Sequence, residues 1–222
     1  MRRADYLRDS PPMFTNRRLD RLSRVHPAVP ALLYLPLILL LTALGLPRSG
    51  ALSGVGLWLL GYLLWTLVEY WVHRSVFHFS AKSPFTRRLH WLMHGVHHEH
   101  PNDPYRLVIP PAVSLPVGAL VLFGLRQLLG PDGWMAAGAG FGAGYLAYDM
   151  LHFALHHHRA RSPLLRALRR RHLRHHFEDE RRGFGISAPY WDRVFGTAPP
   201  RRPARPPRPT PPPGPPADRS AG

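Results

Sequence analysis

Between Ala28 and Leu46 the chain carries no charged side chain and is rich in leucine. That length is close to the ~20 apolar residues a membrane-crossing helix needs. A backbone in lipid must satisfy its own polar groups, so such a segment has to be helical. Pro36 predicts a kink in it, which membrane helices tolerate. A Pro47-Arg-Ser-Gly50 turn leads to a second apolar run, Ala51 to Val68, and so short a connection predicts a hairpin. A third run, Leu107 to Leu125, contains Pro110, Pro111 and Pro116, which predict a bent entry. After Gly130-Pro-Asp-Gly133 comes the fourth, Trp134 to Tyr148, where Gly138, Gly140, Gly142 and Gly144 permit close helix contact. It is short for a span, and the pattern continues as one helix through Asp149 and His156. The expected fold is an all-α integral membrane protein with four transmembrane helices.

The charge distribution orients it. The formal charge of +16 suits a nucleic-acid partner or a basic membrane protein, and placement decides between them. Of 29 lysines and arginines, seven precede the first run, five lie between His73 and Arg106 and fifteen follow His158. Arg48 and Arg126 alone fall near the other face. This positive-inside asymmetry puts both termini and the histidines in the cytoplasm and leaves nucleic acid unneeded. Lys82 is the one lysine, a codon bias that points to a GC-rich bacterium and its inner membrane. Residues 1–27 read as a basic cytoplasmic leader lying on anionic headgroups, 28–197 as the membrane domain and 198–222 as a disordered Pro/Arg-rich tail.

The chain has no cysteine, which excludes disulfides, iron–sulfur clusters and thioether-linked haem. It has fifteen histidines, and ten stand in paired clusters where the apolar runs end: His73 and His78, His94, His97 and His98, His152 and His156, and His172, His175 and His176. On a helix, positions i, i+3 and i+4 share a face, so each triplet converges, as do His152 and His156. His73 and His78 would stand about 140° apart on an ideal helix. Either the helix is distorted there or the two reach different metals. Ten imidazoles exceed what one ion holds, so two ions with about five ligands each are expected, and such a site in a membrane points toward oxygen chemistry. His26 and His100 read as surface or hydrogen-bonded residues. His90, His157 and His158 stand between outer support and solvent. Asp149 and Tyr145 share the helical face of His152 and are candidates for proton delivery or ligand orientation. Glu69, one turn before His73, has the same two readings, and Trp191 and Asp192 read as an anchor.

These blocks resemble the fatty acid hydroxylase superfamily, and within it the fatty acid 2-hydroxylases, over about residues 60 to 197. The likeness rests on Glu69-Tyr-Trp-Val-His73-Arg-Ser-Val-Phe-His78, on His94-Gly-Val-His97-His98-Glu-His-Pro101-Asn-Asp103 with Arg106 to Pro111, on Tyr148-Asp149-Met-Leu-His152-Phe-Ala-Leu-His156-His157, and on His172-Leu-Arg-His175-His176-Phe with Gly183-Phe-Gly-Ile-Ser187 and Trp191-Asp192. The resemblance implies four membrane helices under a cytoplasmic helical cap. It also implies a dimetal centre, with iron expected and zinc possible as bound, that uses O2 to hydroxylate carbon 2 of a fatty acyl chain. By position it makes the ten clustered histidines the ligands. Many eukaryotic members begin with a cytochrome b5 domain, for which the residues before the first run are too few. Electrons are therefore expected from a separate cytochrome b5-like or ferredoxin-type donor with its reductase. Arg106 and nearby arginines are candidates for holding the carboxylate or phosphate of a lipid. A sterol or carotenoid hydroxylase or desaturase shares the His-x-x-His-His triplets and is the alternative, ahead of a non-redox zinc membrane protein.

Overall fold

The computed structural model describes residues 3–200. The expectation of a disordered tail falls almost wholly on residues outside these. Every regular element among them is helical: α1 (Arg3–Tyr6), α2 (Arg17–Leu22), α3 (Ala28–Arg48), α4 (Ala51–Trp71) with a π turn, π1 (Val72–Phe77), α5 (Pro84–His90) with a second π turn, π2 (Trp91–Gly95), α6 (Val96–Glu99), α7 (Pro111–His157), α8 (Pro163–Phe177) and α9 (Tyr190–Val194). By length and composition α3, α4 with π1, and α7 are each able to cross a membrane.

The third and fourth apolar runs form one element folded in two. Gly130 has φ 68° and ψ −172°, a left-handed conformation that side chains resist, and Pro131 follows it. The two arms of α7 then lie antiparallel: Leu122 and Leu125 face Gly138, and Ile109 just before the helix reaches Asp149 in the return arm. The predicted turn is therefore present, although the hydrogen-bond pattern runs through it.

The return arm is the axis of the bundle, packed along both α3 and α4. Its small residues are what let the backbones meet. A side chain at Gly140 would strike the Trp58 carbonyl of α4, and one at Gly61 would strike the Ala137 carbonyl. Farther along, Trp65 stands edge-on to Phe141 and Tyr145, and Tyr34 edge-on to Tyr145 at 5.0 Å. The Tyr34 hydroxyl meets Ser114 Oγ at 2.6 Å, which joins α3 to the outgoing arm. At the opposite end Ser49 Oγ donates to the Asp132 carbonyl at 2.6 Å, so the α3–α4 turn and the Gly130 turn share one end of the bundle and the histidines the other.

The outer faces are apolar: Leu32, Leu52, Leu120 and Leu128 are 75%, 88%, 70% and 82% exposed. Water would penalise so large a surface, whereas lipid is its solvent. α3 passes through Pro36 without a break in the helix.

The leader does not stand apart from the rest. Asn102 N–H donates to the Leu7 carbonyl and Val25 N–H to the Tyr105 carbonyl, at 2.9 and 2.7 Å. Ser10 Oγ donates to Asp103 at 2.6 Å, and Met13 is buried. Residues 6–25 thus cover the loop after α6.

Candidate metal centre

Two backbone irregularities and two amphipathic helices carry the histidines. In π1 the N–H of His78 donates to the carbonyl of His73 at 3.2 Å, an i→i+5 bond that takes one more residue into the turn. That extra residue brings His78 back over His73, with ring centroids 5.1 Å apart. The distorted-helix reading of this pair is the correct one. A similar turn, π2, carries His94 into α6. α8 starts at a Ser162 N-cap with Pro163 in first position and turns Leu168, His172 and His175 inward.

The ten clustered histidines come together as two groups of five: His73, His78, His94, His98 and His175, and His97, His152, His156, His172 and His176. Within each group one nitrogen per ring lies within 4.8 Å of all the others. Each triplet shares a face as expected but serves both groups. The i and i+4 rings enter one group and the i+3 ring turns to the other, so His97 and His175 cross over. The groups abut, with the rings of His98 and His176 stacked at 4.2 Å.

The nitrogens are arranged as ligands. His73 Nδ1 meets the Phe184 carbonyl at 2.7 Å and His175 Nδ1 meets that of Arg182 at 2.9 Å, so each Nδ1 carries the proton and each Nε2 lone pair faces the group. His175 Nε2 lies 3.0 Å from His78 Nε2, and His94 Nε2 lies 3.2 Å from His98 Nε2. In the other group His172 Nε2 lies 2.6 Å from His156 Nε2 and 3.1 Å from His176 Nε2. The Nε2 atoms of His73, His97 and His152 are buried with no partner among the described residues. An unsatisfied buried polar atom costs about 1–3 kcal/mol, and lone pairs gathered within each group fit a cation that accepts them. Burial, reinforced by neighbouring imidazoles, holds His94, His97, His98, His172 and His176 well below the usual histidine range. Burial brings His78 to about 3 and His175 to about 4. Neutral rings are what a metal requires.

The loop 182–187 supports the centre, and buried carboxylates support the loop. Asp192, with no exposure, accepts from the N–H groups of Phe184 and Gly185 at 2.9 and 3.1 Å and from Thr197 Oγ1 at 2.8 Å, and pairs with Arg171 at 3.3 Å. Glu69 accepts from the N–H groups of Ile186 and Ser187 at 2.7 and 2.8 Å and from the Ser187 hydroxyl. Glu69 and Asp192 therefore hold the carbonyls that orient His73 and His175. The sequence reading missed these carbonyls, although the Gly183-Phe-Gly-Ile-Ser187 block marked their place.

Asp149 is fully buried and accepts from Ile109 N–H and from the Tyr145 hydroxyl, each at 3.3 Å. Among the described residues no hydrogen bond joins it to a histidine ring. Arg106 does not face a ligand site: it is buried, pairs with Asp20 at 2.9 Å and donates to the Pro11 carbonyl. Its candidacy for a lipid carboxylate is corrected to that of a tie for the leader. His100 is buried with Nδ1 at 2.7 Å from the Tyr6 carbonyl, as a hydrogen-bonded histidine, and His26 is exposed and accepts from Ala28 N–H.

An all-helical bundle of apolar rods that ends in two adjoining five-imidazole groups, each able to hold a metal ion, defines a membrane protein with a metal-binding cap. The chain belongs to the fatty acid hydroxylase family, whose model matches residues 58–197. It is 37% identical over 177 residues to the dihydroceramide fatty acyl 2-hydroxylase FAH2 of Arabidopsis thaliana, covering 78% of this chain and 73% of that one. It is 41% identical over 156 residues to the fatty acid 2-hydroxylase of Homo sapiens, covering 67% of this chain and 41% of that one. The solved structure of full-length scs7p, in which only the hydroxylase domain is visible, superposes with a TM-score of 0.77 at 37% identity, covering 83% of this chain and 70% of that one.

Proposed function

We propose that this chain is a membrane monooxygenase that hydroxylates carbon 2 of a fatty acid or of a lipid acyl chain. The observation that carries it is the pair of abutting five-histidine groups at one end of an apolar bundle. The relatives' names supply the position of hydroxylation. The ten histidines are the ligands, and two iron ions fit the chemistry, although imidazole also accepts zinc. When bound, such a pair supplies the redox activation of O2 that no side chain provides. The overall balance is one C–H bond, one O2, two electrons and two protons going to one C–OH and one water. An electron-carrier protein supplies the electrons.

The chain's own residues prepare the place. Trp65, Glu69, Val72, Phe77, Ile109 and Tyr148 line a cavity of about 20 Å³ between α4 and the start of α7. Phe77 stacks on His94 at 4.8 Å and Tyr148 tilts against His152 at 5.7 Å, so this cavity reaches one group through each ring. The cavity as it stands holds about one water, so an acyl chain arriving from the bilayer has to part these side chains to meet the centre here. Asp149 fixes the Ile109 edge of the entry and accepts the hydrogen bond of the Tyr145 hydroxyl at Oδ2, and this pair is the route by which a proton is delivered.

Four helical rods cross the membrane in this reading, the arms of α7 counting as two, with the histidine cap cytoplasmic. The arginine asymmetry supports that orientation. The matched relatives come from plants, fungi and mammals, so a bacterial membrane rests on arginine usage alone. The test is expression in a bacterium without 2-hydroxylated lipids, fed 18O2 with a reductase system, followed by mass spectrometry of hydrolysed lipid. One 18O at carbon 2, absent in His175→Ala, is expected; oxygenated sterol or carotenoid with unmodified acyl chains would overturn the acyl assignment.

A further inference from the structure

An ion that enters either histidine group has to leave water and gain imidazoles in steps, so a ligand just outside the group marks a way in. The first group is the more open: His78 and His98 are partly exposed in it, against His176 alone in the second. His90, half-buried where α5 meets π2, stands at that opening. Its ring lies 6.3 Å from that of His78 and is inclined to it by 71°. His97 and His172 are 6.5 Å apart, yet each turns a nitrogen into the same group. Rings as far apart as His90 and His78 can therefore address one ion.

The surroundings of His90 hold the ring and leave it free to bind. It stands edge-on to Phe79 at 5.5 Å, and Nδ1 lies over Gly95, where a Cβ would come within 3.4 Å of it. The neighbouring cations are tied elsewhere: Arg87 donates to the Lys82 carbonyl at 3.3 Å and Arg88 to that of Met13, with its guanidinium 4.7 Å above the Trp91 ring. Glu99, the acid on α6, accepts from Trp91 Nε1 at 2.9 Å. Carboxylate attraction therefore does not draw a cation here, and a coordinate bond to imidazole is the means of capture left. His157 is placed differently. It follows His156 on α7, where successive side chains diverge by about 100°, and it stacks on Phe153 at 4.4 Å.

We propose that His90 is the loading port of the metal centre: it takes a divalent cation from solution and hands it to His78, from which the ion passes into the first group. The inference rests on the metal-centre reading of the two histidine groups. At each step one coordinate bond is given up as another is made, and the ion keeps its charge. His90 is not a member of the finished site, where His78 Nε2 gathers with His175 Nε2 at 3.0 Å. Its removal changes how fast ions move and leaves the occupancy as it was.

The test is isotope exchange in the zinc-loaded full chain in nanodiscs, because exchange runs at constant occupancy and reads the path alone. Excess 68Zn is added, the fraction replaced is followed by elemental mass spectrometry after desalting, and chelator competition gives the affinity. His90→Phe, which keeps a ring against Phe79, is expected to exchange about tenfold more slowly at unchanged affinity. His90→Cys supplies another zinc ligand in a chain without cysteine, and its exchange should return to within about twofold of the parent. His26→Phe, at an exposed histidine of the leader, should exchange as the parent does. A fall in affinity with faster exchange in His90→Phe would make His90 a support of the finished site and overturns the proposal. A His90→Cys variant as slow as His90→Phe assigns the effect to packing and overturns it too. A parent that retains zinc and exchanges no faster than His90→Phe overturns this proposal alone, whereas a parent that retains no zinc overturns the metal-centre reading.

Discussion

His98 and His176 lie on different helices and in different histidine groups, yet their rings stack at 4.2 Å. Each triplet lends its i+3 ring to the group that its other two rings leave, so α6 and α8 are common to both. Removal of one ring should therefore disturb both ions. His98→Ala is expected to lower metal content from about two per chain to well under one, by elemental analysis. A value that stays near one would mean that the groups load independently.

Asp192 reaches the metal centre through a loop. Asp192→Ala strands the Phe184 and Gly185 N–H groups and leaves Arg171 unpaired, a loss of about 3 kcal/mol. The carbonyls of Phe184 and Arg182 then no longer orient His73 and His175, and metal affinity should fall about 10–100-fold. A chelator competition series measures that fall, and Asp192→Asn should recover part of it.

Acid should empty the centre before it unfolds the helices. A free imidazole takes up a proton near pH 6.5, whereas buried His78 and His175 resist until about 3 and about 4. The unfolded chain thus binds more protons between those values, and the stability that neutral rings contribute is complete above pH 6.5 and is lost as pH falls toward 4. Metal release followed by absorbance should start as pH falls toward 4, where the folded-state rings take up protons, while far-ultraviolet circular dichroism is still native.

Gly140 is where two backbones touch. Gly140→Leu drives a side chain into the Trp58 carbonyl, and overpacking of that kind costs about 1–3 kcal/mol or more. Lower yield of folded protein and a lower melting temperature in detergent are expected. Gly56→Leu, which meets nothing, should behave as the parent does.

Tyr145→Phe removes the hydroxyl that donates to Asp149 and keeps the ring that packs on Tyr34 and Trp65. Product should fall about tenfold or more with metal content and melting temperature unchanged. An equal fall in melting temperature would reduce Tyr145 to a packing residue.

Much of this arrangement was legible in the residues. Uncharged runs at membrane length read as helices, and turns containing Pro and Gly read as reversals, because those signals are local. The histidine triplets pointed to a shared face for the same reason. What stayed hidden depends on contacts between distant residues or on departures from ideal geometry. The His73–His78 spacing makes sense only with π1, and an ideal helix has no place for it. The split of each triplet depends on how α6 crosses α8. The leader looked like a headgroup-binding segment because its arginines are visible in sequence, whereas the pairing of Ser10 with Asp103 and of Asp20 with Arg106 is not. Glu69 was noticed as an acid one turn before His73 and Asp192 as part of an anchor, but their loop N–H partners lie in a stretch with no regular structure.

A small cap of this kind would ordinarily be knitted together by leucine and valine, yet in its middle stand ten polar imidazoles that repel water poorly. Metal held by the two groups would then be the cap's cohesion as well as its chemistry. Chelation should leave the lipid-embedded rods intact while α6, α8 and the 182–187 loop separate. The protein would thereby register metal supply as order or disorder at its membrane surface, where proteases can read it.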